Sequence, residues 1–260
     1  MHEMKIDASA QISAIILFLQ KTFAGVSKKN AVIAVSGGID SALSLSLLVK
    51  AMPKEQIWPI LLPYDRQDMS DAEAILDFWQ IPPENRKVLN IASMVNAACK
   101  SLQTDSTDQL RKGNIMARMR MIAVFDYAKS KDALVVGTEN KSEYYLGYFT
   151  RFGDEASDVE PLSNLYKTEV RQLAKELNLP EIFLEKAPSA DLWEDQSDEQ
   201  ELGFSYELAD QVIYYLIDQK IAPKEIAGLF PKDQSNLVEK ILEHINRVAF
   251  KHQVPYSIKL

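Results

Sequence analysis

Residues 36–41, SGGIDS, combine two glycines, two hydroxyl side chains and one carboxylate between a predicted strand and a predicted helix. Adjacent glycines let backbone N–H groups approach a phosphate closely, and the amino end of the following helix attracts its charge. Asp40 would repel a phosphate unless a cation lay between them, so its carboxylate suits a Mg²⁺ ion. The segment has neither the GK[ST] ending of a Walker A loop nor the spacing of GxGxxG. It therefore predicts a phosphate-binding turn with a magnesium ligand, and the structural alternative is a Gly-Gly turn in which Ser and Asp only cap the helix.

The elements around this turn predict an α/β fold. Apolar runs separated by helical patterns indicate strands at residues 31–35, 57–62, 87–91 and 133–137. Strands that alternate with helices form a parallel sheet covered on both faces, and ligands bind at the carboxyl ends of its strands. We therefore expect residues 1–260 to form a single domain with a mostly parallel, doubly wound sheet and a helical C-terminal part. The acidic run 191–201 is predicted to be a surface loop.

The composition excludes several classes of function. The chain has 260 residues and a formal net charge of −8, which disfavours nonspecific nucleic-acid binding because phosphate contacts need Lys and Arg. Cys99 is the single cysteine, so neither an intrachain disulfide nor a CxxC zinc pair can form. The longest apolar run, residues 12–19, is far shorter than the ~20 residues of a membrane span. We therefore expect a cytoplasmic protein with no nucleic-acid or membrane partner.

The sequence resembles a known family along most of its length. SGGIDS after the first strand is similar to the pyrophosphate-binding turn of the N-type ATP pyrophosphatases, whose members split ATP between its α and β phosphates. Further blocks resemble the NAD synthetases within that superfamily. These blocks are residues 113–121, 137–143, 147–154, 161–162, 166–170, 188–193 and 196–203. Together they are far more specific than the turn alone.

The resemblance implies a ligase that forms a C–N bond in the last step of NAD biosynthesis. The nicotinate carboxylate of deamido-NAD attacks the α-phosphate of ATP, and pyrophosphate leaves. Ammonia then displaces AMP from the adenylylated carboxylate, which gives NAD. Glutamine-dependent members carry a further amidase domain, for which a chain of 260 residues has no room. Free ammonia is therefore the expected nitrogen donor, and a homodimer is the expected assembly.

The resemblance also implies roles for individual residues. Asp40 and Glu143 would hold Mg²⁺, and Lys167 would contact an ATP phosphate as a point charge. Asp40 and Lys167 are thus the expected catalytic residues. The residues expected to bind ATP are Ala34, Val35, Ser36, Gly37, Gly38, Ile39, Asp40, Ser41, Thr138, Lys167 and Ser189. The residues expected to bind deamido-NAD are Arg118, Arg151, Asp158 and Lys251.

Each of these residues also has a purely structural explanation. Glu143 and Lys167 could be solvated charges on helices, which is the usual position of such residues. Thr138 could cap a helix, and Ser189 could stabilise a turn. Arg118 could be one of several surface cations on its helix. The matching blocks favour the functional interpretation for all of them.

The sequence departs from the family pattern at a few positions. Ala34 stands where many members have glycine, and Ser189 stands where they have threonine. Arg151 replaces a lysine of some members, and a bidentate donor is not equivalent to an ammonium. Phe250 stands in place of the histidine of a His-Lys pair. Lys251, and not residue 250, is therefore expected to contact the dinucleotide.

Two other functions remain open from the sequence. One is a different ATP pyrophosphatase, such as a tRNA-modifying enzyme, which the acidic charge and the absence of paired cysteines disfavour. The other is a nucleotide sensor without catalysis, which would not need both Asp40 and Glu143. The apolar faces of the helices near residues 12–23 and 115–125 could contact a second subunit or the protein's own core.

Overall fold

The computed structural model of the chain describes residues 4–105, 107–189 and 197–258, and its central element is a parallel sheet. Four strands of the described part lie in the order β3-β2-β1-β4. Their bounds are β1 Asn30–Ala34, β2 Ile57–Leu61, β3 Lys87–Val88 and β4 Ala133–Val136. Val32 of β1 lies opposite Trp58 on one side and Val135 on the other. Val159 forms a single parallel bridge to Val136 and so adds one further position beside β4.

Helices cover both faces of the sheet. The longer helices are α1 Ala8–Gly25, α2 Ile39–Ala51, α3 Ser70–Phe78, α4 Ala92–Ser101, α5 Gln109–Ser130, α7 Lys167–Glu176, α10 Tyr206–Ile213 and α12 Ser235–Val248. The shorter ones are α6 Lys141–Leu146, α8 Glu181–Glu185, α9 Asp198–Leu202 and α11 Pro223–Ile226. A π-helical turn, Tyr214–Asp218, continues α10. None of the described helices combines the length and the apolar character needed to cross a membrane.

Alternate side chains of each strand pack into separate cores. Ala31 and Ile33 of β1 face a core formed with α1, α2, α3, α7 and α8. Val32 of β1 and Val135 of the neighbouring strand β4 face a second core, which is formed with α4 and α5. Residues 41–48 of α2 are all buried, which explains why leucines lie on several sides of this helix and why its serines are hydrogen-bonded to backbone carbonyls. The expected α/β fold with a doubly wound parallel sheet is thus confirmed.

The C-terminal helices form a third core beside the sheet. It joins Leu146 of α6 and Tyr166 before α7 to apolar residues of α9, α10, α11 and α12. Helices α6 and α7 pack against α10, and α7 also packs in the core that faces Ala31 and Ile33 of β1. This arrangement positions two functional side chains described below.

Pro59 lies inside β2 although proline cannot donate to a sheet. Leu61 accepts a hydrogen bond from Leu89, so the alternate position, Pro59, also directs its backbone toward β3. The two-residue strand β3 pairs only with Ile60 and Leu61, and it does not extend to the proline. The predicted third strand, residues 87–91, is shorter in the structure, where only Lys87–Val88 form the strand, although Leu89 and Ile91 still donate to the carbonyls of Leu61 and Pro63.

Candidate active site

The turn between β1 and α2 requires glycine at one position. Gly37 has a φ of +86°, and a Cβ there would lie 2.9 Å from the Cβ of Asp71 in α3. Gly38 donates its N–H to Ser36 Oγ at 3.3 Å, and Ser41 Oγ donates to the Gly38 carbonyl at 3.0 Å. The two hydroxyl groups therefore hold the turn in one shape at the amino end of α2.

The carboxylates of Asp40 and Glu143 converge on the ammonium of Lys167. Lys167 Nζ lies 2.5 Å from Asp40 Oδ2 and 2.9 Å from Glu143 Oε1. The lysine side chain is 3% exposed, and the two carboxylates are 15% and 17% exposed. Two carboxylates and one ammonium leave one net negative charge when all three are ionised. In that ionisation state the group attracts a further cation.

Three separate segments bring these side chains together. Asp40 lies in the first turn of α2 after β1, Glu143 in the first turn of α6 after β4, and Lys167 at the start of α7. Asn140 is the N-cap of α6 and accepts the Glu143 N–H at 3.0 Å. Its amide also donates to Asp40 Oδ1 at 2.8 Å. Asn140 thus joins the two helices that carry the carboxylates, a role that the sequence analysis missed although its N-x-x-E capping box was visible.

Burial and charge act against each other in this group. Burial raises the pKa of Glu143, and Lys167 opposes that rise without cancelling it. Burial alone would lower the pKa of Lys167, but the carboxylates of Asp40 and Glu143 outweigh it and raise that pKa. The lysine is therefore a permanent positive charge in the site.

A third carboxylate, Asp198, faces the same lysine. It is buried, and it accepts a hydrogen bond from the hydroxyl of Tyr206 at 3.1 Å. The Tyr206 ring lies under the Lys167 ammonium, 5.3 Å from the ring centroid. Burial raises the pKa of Asp198, and Lys167 opposes the rise. The prediction that residues 191–201 form a surface loop is wrong for Asp198, which belongs to α9, while residues 191–196 lie outside the described part.

A cavity of about 700 Å³ opens in front of these groups. Most of the predicted site residues line it. They are Ala34, Val35, Ser36, Gly38, Ile39, Asp40, Ser41, Arg118, Thr138, Glu143, Arg151, Lys167, Ser189 and Lys251. Gly37 and Asp158 are not among the lining residues, because Gly37 packs against α3 and the Asp158 carboxylate accepts the Val135 N–H at 2.8 Å.

Two arginines lie together in the lining. Nε and Nη2 of Arg118 each donate to the Arg151 carbonyl at 3.3 Å. The Arg151 guanidinium lies over the Phe250 ring, 5.2 Å from its centroid. This part of the cavity therefore presents two cations beside an aromatic side chain, which suits an anionic ligand that carries a ring.

The Lys251 ammonium already has backbone partners. It donates to the carbonyls of Gly147 and Phe149, each at 2.6 Å. His244 and His252 contact the carbonyls of Leu146 and Tyr144 at 2.8 and 2.6 Å. The basic side chains at the C-terminal end thus satisfy carbonyls at and beyond the end of α6. A contact of Lys251 or Asp158 with a dinucleotide stays a prediction.

Asp40 and Glu143 fit a Mg²⁺ ion by the chemistry of their donors. Each carboxylate contacts the Lys167 ammonium through one oxygen, and its further lone pairs can still bind a second cation. Mg²⁺ is usually held by one or two protein carboxylates together with phosphates of the substrate. Within residues 4–105, 107–189 and 197–258, no group of three His, Cys, Asp or Glu side chains could hold a metal alone. Phosphate oxygens would therefore complete the coordination.

A glycine turn and paired carboxylates at the carboxyl edge of a parallel sheet define an α/β protein built to bind a phosphorylated ligand. The family model "NAD synthase" matches residues 11–255. The chain belongs to the NAD synthase family. It is 39% identical to the NH(3)-dependent NAD(+) synthetase of Fusobacterium nucleatum, and the match covers 100% of this chain and 99% of that protein.

Solved structures show the same likeness. An NH3-dependent NAD synthetase from Campylobacter jejuni is 30% identical with a TM-score of 0.80, over 98% of this chain and all of that one. An NMN synthetase from Francisella tularensis is 31% identical with a TM-score of 0.79, over 98% of this chain and 99% of that one. The fold is thus shared by proteins named for two different products.

Proposed function

We propose that the protein converts deamido-NAD to NAD with ATP and free ammonia. The observation that carries the proposal is the placement of Lys167 between Asp40 and Glu143, directly beside the phosphate turn. A phosphate turn alone suits any nucleotide-binding protein. A buried cation held between two carboxylates at that turn is suited to stabilising charge on phosphate oxygens.

The residues of the chain would act mainly by positioning and charge. The amino end of α2 and the hydroxyl groups of Ser36 and Ser41 would bind the pyrophosphate part of ATP. The Lys167 ammonium would neutralise charge that develops as pyrophosphate leaves. Arg118 and Arg151 would bind phosphates of the dinucleotide and so direct its carboxylate toward the α-phosphate.

Mg²⁺ is the proposed metal, held by Asp40 and Glu143. It would screen the charge of the ATP phosphates when bound. Asn140 would orient Asp40 for that role, because its amide donates to the Asp40 oxygen that does not contact Lys167. Magnesium dependence of both ATP binding and turnover would support this assignment.

The test is product analysis with ATP, Mg²⁺ and deamido-NAD, and with ammonium or glutamine as the nitrogen donor. NAD, AMP and pyrophosphate with ammonium, and no NAD with glutamine, are the expected result. Absence of NAD with either donor would contradict the proposal. Because one structural relative is an NMN synthetase, a parallel assay uses the mononucleotide carboxylate that would give NMN. If the mononucleotide is turned over faster, it replaces deamido-NAD as the proposed acceptor.

We also propose that the protein is a cytoplasmic homodimer. Exposed apolar side chains on α1 and α5 support a second subunit: Leu17 is 49% exposed, Leu110 69% and Ile122 47%. Ile115, which belongs to the same predicted face of α5 as Ile122, packs in the core of its own subunit. Light scattering on the purified protein would distinguish a dimer from a monomer, and a monomer at micromolar concentration would contradict the proposal.

A further inference from the structure

Asp210 of α10 is a fully buried carboxylate that the proposed reaction does not use. One oxygen accepts the hydroxyl proton of Ser142 at 2.5 Å, and the other accepts the N–H of Thr168 at 3.0 Å. Ser142 lies in the first turn of α6, and Thr168 lies in the first turn of α7. The carboxylate therefore bridges the amino ends of two helices that have no covalent link nearby.

The direction of these hydrogen bonds shows that the side chain at position 210 must act as an acceptor. The Lys167 N–H donates to Ser142 Oγ at 2.8 Å, so the single hydroxyl proton of Ser142 is free to point at Asp210. The Thr168 N–H can only donate. Asp210 therefore faces two donors, and a carboxylate accepts from both. An amide of the same shape has one acceptor oxygen, and its NH2 group could only donate to the remaining lone pair of Ser142 Oγ, which would leave the Ser142 hydroxyl proton without this acceptor. An unsatisfied buried donor would have to move or remain unpaired.

The two bridged helices each carry one charged residue of the site. Glu143 follows Ser142 in α6, and Lys167 precedes Thr168 in α7. The contact of 2.9 Å between Lys167 Nζ and Glu143 Oε1 thus depends on how the two helix ends are set against each other. Asp210 sets that position from outside the cavity.

A second carboxylate, in the π-helical turn that continues α10, supports this arrangement. Asp218 accepts from Lys141 Nζ at 2.6 Å and from the Tyr166 hydroxyl at 2.9 Å, and these residues also lie at the starts of α6 and α7. Asp218 is the last residue of the π-helical turn that continues α10. Because i→i+5 bonding winds the chain more slowly than an α-helix, the turn brings Asp218 toward the face that carries Asp210.

We propose that Asp210 is a positioning residue for the reaction. Its carboxylate holds the amino ends of α6 and α7 together and thereby keeps the Lys167 ammonium in contact with the carboxylates of Asp40 and Glu143. This inference rests on the proposed function for its kinetic consequence but not for its structural one. The lysine position can be measured in the protein without any ligand.

The test is Asp210→Asn, read out in two ways. Acylation of the Lys167 amine by acetic anhydride, followed by mass spectrometry, reports its protection in the ligand-free protein. We expect at least tenfold faster acylation of Lys167, because the shielded ammonium is released. We also expect kcat to fall by about 10²-fold, because small displacements of a charged group have effects of that size. KM for ATP should change less than threefold.

Ser142→Ala is the second variant. It removes the hydrogen bond between Ser142 and Asp210 by deleting the donor, and it serves as the test if Asp210→Asn does not fold. The double variant should lose little more kcat than the stronger single variant, because the two groups share one hydrogen bond. Ile213→Val on the same helix is the matched control, since it weakens the packing of α10 without touching the network. Glu207→Gln controls for loss of a carboxylate from α10, because Glu207 bonds to Arg171 at the surface.

The outcomes separate this inference from the proposed function. Lys167 acylation and kcat within twofold of wild type in both variants would overturn the positioning role. An equal loss of kcat in Ile213→Val at matched thermal stability would also overturn it, since stability alone would then explain the loss. Faster Lys167 acylation in a protein whose wild type makes no NAD would support the positioning of the lysine and reject the proposed function.

Discussion

Lys167 and Asp40 are 127 positions apart in the chain, yet the lysine ammonium lies 2.5 Å from the Asp40 carboxylate. Asp40 follows strand β1, and Lys167 begins α7, which packs against α1, α2 and α10. The ion pair therefore connects the phosphate turn with the C-terminal helices. Its loss should affect both stability and chemistry.

Lys167→Met should destabilise the protein and abolish measurable turnover. Removal of one partner of a buried ion pair costs about 3–5 kcal/mol, because the remaining charges lose their compensation. Lys28→Met is the matched control: Lys28 pairs with Asp132 at the surface, so its loss should cost about 1 kcal/mol or less. Urea denaturation of the three proteins measures the difference. Equal midpoints for the two variants would contradict a buried compensating charge at position 167.

Asp40→Asn should reduce turnover by about 10³-fold while it leaves the fold intact. The amide oxygen can still accept from Asn140, and Lys167 keeps its contact with Glu143, so the protein should still fold, with a lower free energy of unfolding because the Asp40 ion pair is lost. The variant loses the negative charge that would hold Mg²⁺. Turnover over a range of magnesium concentrations, with thermal unfolding as the control, tests this expectation. Unaltered activity with an unaltered magnesium requirement would refute the metal role of Asp40.

The strands and the phosphate turn could be predicted from local sequence, and the connections between distant segments could not. The apolar run before SGGIDS identified β1, and the glycine pair marked the turn. Asp198 looked like part of an acidic surface run, because nothing local shows that Tyr206 and Lys167 would enclose it. Asp210 lies in an ordinary helical pattern, and its two donors come from residues 68 and 42 positions away.

Lys251 shows the same limit for a basic residue. The sequence predicts a cation near the C-terminal end, but the two carbonyls that bind its ammonium are more than 100 positions earlier. A resemblance in sequence can indicate that a lysine matters, and it does not distinguish a ligand contact from a backbone contact. The same holds for Asp158, whose carboxylate accepts a backbone N–H of β4.

Gly38→Ala and Gly37→Ala should separate ligand binding from folding. A Cβ at Gly38 meets only Ser36 Oγ at 3.5 Å, so alanine fits the protein without strain. Its methyl group would stand where the backbone approaches a phosphate, and KM for ATP should rise about tenfold or more. Gly37→Ala should instead destabilise the protein by about 1–3 kcal/mol, because its φ is positive and α3 is in close contact.

Gly228→Ala is the control for both glycine variants, since a Cβ there meets nothing within 4 Å. We expect it to leave both KM and stability close to wild type. Thermal unfolding and ATP saturation curves give the two readouts. An unchanged KM for ATP in Gly38→Ala would count against phosphate binding at this turn.

Arg118→Ala should weaken deamido-NAD binding more than ATP binding. The exposed guanidinium lies in the cavity lining and contacts the Arg151 carbonyl, and a lost charge-assisted contact lowers affinity by about tenfold or more. Arg111→Ala on the same helix is the control, because Arg111 is exposed and lies near Asp108. KM values for both substrates decide the assignment. Equal increases in the two KM values would argue against a specific dinucleotide contact.

His244 should make the stability of the protein depend on pH. Its Nδ1 lies 2.9 Å from Arg247 Nη2, and a guanidinium can only donate, so Nδ1 accepts and the ring is neutral. Nε2 then carries the proton and donates to the Leu146 carbonyl at 2.8 Å. Burial lowers the pKa of His244 in the folded protein, so the unfolded chain takes up a proton more readily.

The stability that neutral His244 contributes is therefore fully present above its unfolded pKa of about 6.5, and it is lost as the pH falls through the lower folded value. His244→Gln keeps a donor for the Leu146 carbonyl and removes the titration. Thermal midpoints of the two proteins between pH 8 and pH 5 should diverge below about pH 6.5, with the wild type losing more stability. Other groups titrate alike in both proteins and cancel in the difference. A difference that stays constant across this range would show that the His244 ring is not held neutral by the contacts described.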